Sequence, residues 1–339
     1  MAEIYYYKVL KFLCRRLSEL HWFYSPRTFI DSVVDFQKIC LMKKIPIRHI
    51  MALDRNIFSR LINVITKGDT KQGNIQDIAI FISWCAMLNV DILPYYALNE
   101  FAAGTNSEDL AQSEYAAFSK LFKEIDLLTW LALALGCEKE NKKLVSSVAN
   151  KSETDFNIDS IDYLTNYASL LHFAYVWRTE QTVIEKFKAF FQWYYDNLKV
   201  SRYMEAYICS VLSQIPDYKA PKKINSSNLD DVIKGCQNQA RDISYLTSLS
   251  IDRIPYDQYE MVLVSDDKML GNLFSKGCYN SDAIRIFEEN ISNDRHQISE
   301  WVSNLLANHH EFVTEDYREH CLRIIKEEIQ QLKALFRNE

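Results

Sequence analysis

Apolar residues recur along most of the chain at three- and four-residue spacing, the pattern of helix, and they collect into continuous apolar runs in only a few places. Two helices are predicted to open the chain, about Tyr5 to Leu20 and Thr28 to Met42, with Ser25-Pro26 as the turn between them. The run Ile47-Arg48-His49-Ile50-Met51-Ala52-Leu53 then reads as a buried strand that breaks at Asp54-Arg55-Asn56. Helices follow over about Asn56 to Thr66 and Ile75 to Asn89, separated by the polar loop from Lys67 to Gly73. Val90-Asp91-Ile92-Leu93-Pro94 suits a second buried parallel strand, after which Tyr95 to Ala103 turns helical.

From Glu108 to about Gln214 every signal is helical: Leu110 to Ile125, Leu127 to Leu135, Asp159 to Arg178, Thr182 to Leu198 and Arg202 to Gln214. Helix resumes from Leu229 to Ser250. The last strand, Tyr259-Glu260-Met261-Val262-Leu263-Val264, breaks at Ser265-Asp266-Asp267, and the remainder is helical over Asp282 to Glu289, Arg295 to Ala307 and Thr314 to Phe336. Polar stretches at Glu138 to Asn157 and Pro216 to Asn228 are the linker candidates. The expected fold is α/β, a small and mainly parallel sheet flanked by helices, with a large helical insertion and a helical carboxy-terminal region. The expected division is 1–44 as amino-terminal helices, 45–104 with 229–279 as the sheet-bearing core, 105–228 as the insertion and 280–339 as the carboxy-terminal helices.

Composition narrows the function classes. The chain has 339 residues, 48% of them hydrophobic, enough for a sizeable core, and its 7 Gly and 6 Pro leave few turn-makers. Eight cysteines stand singly, with no CxxC pair or zinc-ligand spacing, so they read as buried free thiols in a reducing cytosol. Lys8, Lys11, Arg15 and Arg16 interrupt the first apolar segment at helical spacing, unlike a signal peptide, and no apolar run is long enough to span a membrane. A soluble cytoplasmic protein is expected. A net charge of −6 argues against general polyanion binding, so any nucleic-acid contact must be local and basic.

The chemistry-bearing residues are acids at the ends of the apolar runs. Asp54 and the Asp266-Asp267 pair close two strands, Glu100 lies in the helix after the second strand, and Asp242 lies in the helix from Leu229. Each has an ordinary explanation taken alone: Asp54 and Asp266 or Asp267 can cap the helices that follow, and Glu100 and Asp242 can be exposed helix carboxylates. Gathered at one sheet edge, carboxylates repel one another unless a divalent cation neutralises them.

This order of residues resembles the PIN-domain nucleases. The resemblance rests on Asp54-Arg55-Asn56 after an apolar strand, Leu98-Asn99-Glu100 after the second, Asp242-Ile243-Ser244-Tyr245-Leu246 on a helix and Val262-Leu263-Val264-Ser265-Asp266-Asp267-Lys268 at the last strand, and it covers about 47–104 and 229–275. It implies that Asp54, Glu100, Asp242 and Asp267 hold Mg²⁺ or Mn²⁺ as catalytic residues, with Asp266 as a further ligand. Asn56 and Ser265 would support the acids, and Arg241 and Lys268 would touch the substrate phosphates. The substrate implied is nucleic acid, single-stranded or structured RNA, cleaved by a cytoplasmic metal-dependent ribonuclease. Compact family members have a much shorter gap between the second and third acids, which makes 105–228 an insertion able to meet a protein partner or a second copy of the chain.

Two other readings compete. A helical protein-interaction scaffold accounts for the long aromatic-rich helices without chemistry. A haloacid-dehalogenase-like phosphatase needs a second Asp two residues after the first, where this chain has Asn56. Tyr5-Tyr6-Tyr7 and Tyr194-Tyr195 can stack on bases, although core packing is the more common fate of aromatics in such helices. Lys219, Lys222 and Lys223 can meet phosphates or simply form a solvated loop. His309-His310 and His320 fall in helical context without a carboxylate at a convincing ligand offset and read as surface or partly buried histidines.

Overall fold

The computed structural model describes residues 2–25, 29–30, 33–42, 48–105, 107–146, 156, 159–249, 258–277, 283–290, 295–308 and 316–338. These form two compact units, one of Met1–Ile158 with Ile254–Gly271 and one of Asp159–Arg253 with Asn272–Glu339.

The first unit is α/β. Its main sheet has the order β1-β6-β4-β5, built from β1 (Phe23–Tyr24), β4 (Arg48–Leu53), β5 (Asp91–Leu93) and β6 (Tyr259–Val264); β2 (Phe29–Ile30) and β3 (Val33–Val34) pair separately. β4 runs parallel to both β5 and β6, while β1 lies antiparallel to β6, so the sheet is mixed at one edge. The β4–β6 register runs from Arg48 opposite Tyr259 to Leu53 opposite Val264. Met51 to Leu53 of β4 and Met261 to Val264 of β6 are buried on both faces, which is why the carboxyl-terminal parts of these strands read as apolar runs.

One expected helix gives way to strand. Phe29, Ile30, Val33 and Val34 form β2 and β3, and helix begins only at Phe36, ending at Met42. Those four residues sit at spacings a helix also tolerates, but pairs of aromatic and β-branched side chains on either side of Asp31-Ser32 suit a pleated ribbon better. β1 was not expected at all, because two residues carry no period.

Elsewhere the first unit follows the pattern. The helix Arg55–Lys67 starts on Asp54 and ends on Gly68, whose φ of 86° is left-handed and whose added Cβ would stand 2.7 Å from the carbonyl oxygen of Asn141. Backbone bonds from Asn141 N to Gly68 O and from Val145 N to Ile65 O fasten the polar stretch after Glu138 to this unit. Trp84, Trp130, Phe58 and Phe81 fill the core.

The second unit is helical. Ile161–Thr179 packs against Leu229–Ser248 and Tyr317–Asn338, and Arg202–Leu212 packs against Ala283–Asn290. Tyr194, Tyr207, Phe187, Phe190 and Phe191 are fully buried, so Tyr194-Tyr195 belongs to the core. The division of the chain differs from the one expected above. Residues 105–158 go with the sheet, and the helix carrying Asp242 goes with the helical unit. The stretch Pro216 to Asn228 lies wholly inside the second unit, where Arg178 donates to the carbonyl oxygens of Ile224, at 2.9 Å, and Ser226 and Trp177 Nε1 donates to Asn225 Oδ1 at 2.9 Å.

Seven described cysteines are free thiols; five are buried, Cys40 is half-buried and Cys137 is exposed, against the expectation for that one. Cys278 and His309-His310 lie outside the described residues. Among the described residues no helix is long and apolar enough to cross a membrane.

Candidate functional site

Parallel pairing fixes where β4 and β6 deliver their next residues. With Leu53 opposite Val264, the register carries Asp54 to the level of Ser265, and Asp54 N donates to Val264 O at 3.0 Å. Ser265 N in turn donates to Trp22 O at 2.8 Å, which ties the segment before β1 to the same edge. β5 ends one residue before Pro94, and the helix Tyr95–Thr105 that follows carries Glu100 in its second turn. The acids of this unit therefore stand at the carboxyl ends of the parallel strands, where open α/β sheets keep their clefts.

Asp54 is only 6% exposed. Its side chain caps the helix by accepting from Arg55 N at 2.7 Å, and its Oδ2 accepts from Ser265 Oγ at 2.5 Å and from Asn56 Nδ2 at 2.8 Å. Such bonds to the charged form ordinarily hold a carboxyl low. Here burial and the charge of Glu100 outweigh them, with a smaller push from Asp267, and the Asp54 carboxyl rises to about 7.

Asp267 is exposed and caps the helix Lys268–Gly277, its Oδ1 accepting from Leu270 N at 3.1 Å. Ser265 Oγ links the two caps, since it donates to Asp54 and accepts from Asp267 N at 3.0 Å. The ordinary reading of both aspartates as caps is thus realised, and the charges of Glu100 and Asp267 both act on Asp54.

Positive charge on the helix Arg55–Lys67 goes elsewhere. Arg55 forms a two-pronged pair with Glu114, Nη2 donating to Oε1 at 3.0 Å, and its guanidinium lies 3.8 Å from the centre of the Phe101 ring. Arg60 pairs with Asp266 and lies 5.6 Å from the Trp22 ring centre. Asp266 is therefore held by an arginine that the sequence pattern did not single out. Lys268 is exposed at the start of its helix.

The remaining expected residues lie in the second unit. Asp242 is half-buried and its charge helps burial and Cys236 push the Tyr207 phenol up. The Arg241 guanidinium sits 5.2 Å from the Tyr163 ring centre. Lys223 pairs with Asp231 at 2.7 Å, and His320 Nε2 lies 2.8 Å from Asn197 O. The structure groups Asp54, Glu100 and Asp267 in the first unit and sets Asp242 and Arg241 in the second.

One buried polar group on the sheet escaped the sequence reading. Glu260 of β6 is 0% exposed, accepts from Ser25 Oγ at 2.6 Å and lies 3.6 Å from Nε2 of His49, its register partner on β4. A single acid inside an apolar strand gives no periodic signal by which to find it.

The fit of a hard cation can be judged from the oxygens alone. Asn56 Oδ1, beside Asp54, and Asn99 Oδ1, beside Glu100 in sequence, are buried acceptors with no hydrogen-bond partner among the described residues. An orphaned acceptor at Asn56, beside a carboxyl raised by burial and by other carboxylates, is oxygen donor chemistry of the kind Mg²⁺ or Mn²⁺ takes. Among the described residues, however, no group of three or more His, Cys, Asp and Glu side chains is placed to hold a metal ion. Comparison of the chain with protein-family models, with curated proteins and with solved structures returns no match.

Proposed function

We propose that the first unit is a divalent-cation-dependent nuclease acting on single-stranded RNA, with Asp54, Glu100 and Asp267 as the cation-holding acids. The observation that carries this reading is the Asp54 carboxyl, buried at a strand end and raised to about 7 with Glu100 and Asp267 among the causes. A fold retains such repulsion at a cost, and the cost is offset where a cation occupies the site.

Bound there, Mg²⁺ or Mn²⁺ would supply a Lewis-acidic centre for phosphodiester hydrolysis and acidify a coordinated water. The chain's own residues have separable tasks. Ser265 and Asn56 fix the rotamer of Asp54 by donating to the same oxygen, and Arg55 N fixes the other side of the group. The Asn56 side-chain oxygen can accept from water at the site. Burial first, and the charge of Glu100 next, let the Asp54 carboxyl hold a proton near neutrality. With Arg60 paired to Asp266, Asp267 is the acid of that loop without an ion pair among the described residues, and its charge acts on Asp54.

The test is cleavage of a labelled single-stranded RNA oligonucleotide in Mn²⁺ by wild type, Asp54→Asn and Asp267→Asn, with folding followed by circular dichroism. Both variants are expected to fold and to lose cleavage by about a hundredfold or more, the scale of losing a group that stabilises developing charge. Undiminished cleavage in both removes these acids from the chemistry.

A further inference from the structure

We infer that the outward face of the helix Ala2–Leu20 is a binding surface for single-stranded nucleic acid, an inference that rests on the nuclease reading for its choice of polymer. Leu10, Leu13, Cys14 and Leu17 are buried and anchor one side of this helix in the core. Lys8, Lys11 and Arg15, at three- and four-residue spacing, fall on the opposite side and are all exposed. Lys8 and Lys11 make no ion pair among the described residues, and Arg15 has only a 3.9 Å contact with Glu19.

Aromatic rings flank this row. Tyr5 is 64% and Tyr7 74% exposed, one three residues before Lys8 and the other four before Lys11, so core packing does not account for them. Tyr6 is fastened by its hydroxyl to Met87 O at 2.9 Å, which holds this end of the helix to its neighbour. Exposed rings beside a row of cations form a stacking platform joined to a backbone track. Lys8 to Arg15 spans about 10 Å of helix at 1.5 Å per residue, or about three stacked nucleotides at 3.4 Å each.

Two further features favour a nucleic acid over an anionic lipid surface. A helix that lies in a membrane needs an apolar face to insert, and here that face is already buried in the protein. The chain also returns from this helix straight to the acids, because Trp22, two residues past its end, holds Ser265 through the backbone. In a chain of net charge −6, a local row of this kind is where a polyanion can settle.

The experiment measures binding of a fluorescent twelve-nucleotide polyuridine RNA to the full chain in EDTA, across a salt series, so that binding is read without cleavage. Lys8→Glu/Lys11→Glu/Arg15→Glu is expected to weaken binding at least tenfold and to lower the log–log salt slope by about 2, at roughly 0.7 per phosphate contact. Tyr5→Ala/Tyr7→Ala, which keeps the charges, is expected to weaken binding by about fivefold or more with the slope unchanged. Circular dichroism and melting temperature should match wild type in both. Unchanged affinity in the charge variant, no RNA binding by wild type, or binding to phosphatidylserine vesicles in preference to the RNA each overturns the surface. RNA binding that behaves as expected in a protein that never cleaves RNA sinks the nuclease reading and leaves this surface standing.

Discussion

Asp54 in the sheet-bearing unit and Glu205 in the helical unit both have carboxyls raised to about 7, and burial is the largest cause for each. Hydrogen bonds pull both back down, and their charged neighbours differ in sign. For Glu205 the Tyr195 hydroxyl and the charge of Arg202 pull back down, so its surroundings soften the penalty of burial. For Asp54 the next cause after burial is Glu100, which pushes the same way, and Asp267 adds to it. A raised carboxyl alone therefore identifies nothing. An acid that is buried and also beside other acids is the one whose burden a bound cation would relieve.

The largest effect that can break this comparison is the pH dependence of stability. Both groups have ordinary values near 4, namely 3.8 for Asp54 and 4.5 for Glu205, so between there and about 7 the folded chain keeps protons that the unfolded chain releases. Stability is then greatest below the ordinary value and falls as pH rises through the window, by up to about 4 kcal/mol for Asp54 at roughly 1.4 kcal/mol per pH unit. Asp54→Asn and Glu205→Gln should each flatten part of that fall in urea melts taken from pH 4 to pH 8. Saturating Mn²⁺ should flatten the Asp54 part in wild type and leave the Glu205 part untouched. Equal response of both parts to Mn²⁺ would erase the distinction.

The next effect separates the two units by packing. Gly235 lies where an added Cβ would stand 1.9 Å from the Lys222 carbonyl oxygen, so backbone must move to admit any side chain. Gly235→Ala is expected to cost about 3 kcal/mol, the upper range for overpacking. Hydrogen exchange should accelerate in 202–212 and 229–248 while 48–67 and 259–264 keep their protection. Loss of protection in the strands to the same degree would show that the acids depend on the helical unit.

How much of this could be read from the chain follows from what gives a period. β4 and β6 are legible because Ile50 to Leu53 and Met261 to Val264 are continuous apolar runs, and Asp54 and Ser265 are legible as the points where those runs stop. β1 is not, since Phe23-Tyr24 is too short to show alternation, and β2 with β3 mimics helix spacing. Asp242 was grouped with the other acids through the order of motifs. Its helix is chosen by packing, with Val232, Cys236, Ala240 and Ile243 buried in the second unit, and motif order carries no information about that. Arg60, Glu205 and Glu260 were missed because a single charged residue in a helix or strand is not a pattern; only the fold shows that Arg60 takes Asp266 and that Glu260 meets Ser25 and His49.

The smallest effect sharpens the difference in sign. Glu100→Gln removes a neighbour that raises Asp54 and should lower the Asp54 carboxyl pKa, whereas Arg202→Ala removes a neighbour that lowers Glu205 and should raise it. Carboxyl ¹³C titration of the two variants reads both directions, and shifts of the same sign would refute the assignment of causes.

Binding of Mn²⁺ to the metal-free chain, followed by the loss of its free-ion electron paramagnetic resonance signal, tests the central claim most directly. Wild type and Glu205→Gln should bind with equal affinity at neutral pH, while Asp54→Asn, Glu100→Gln and Asp267→Asn should each weaken binding by about tenfold or more. Equal Mn²⁺ affinity in all five proteins, or no binding by wild type, would contradict the account and leave Asp54 as a buried helix cap that accepts its repulsion without function.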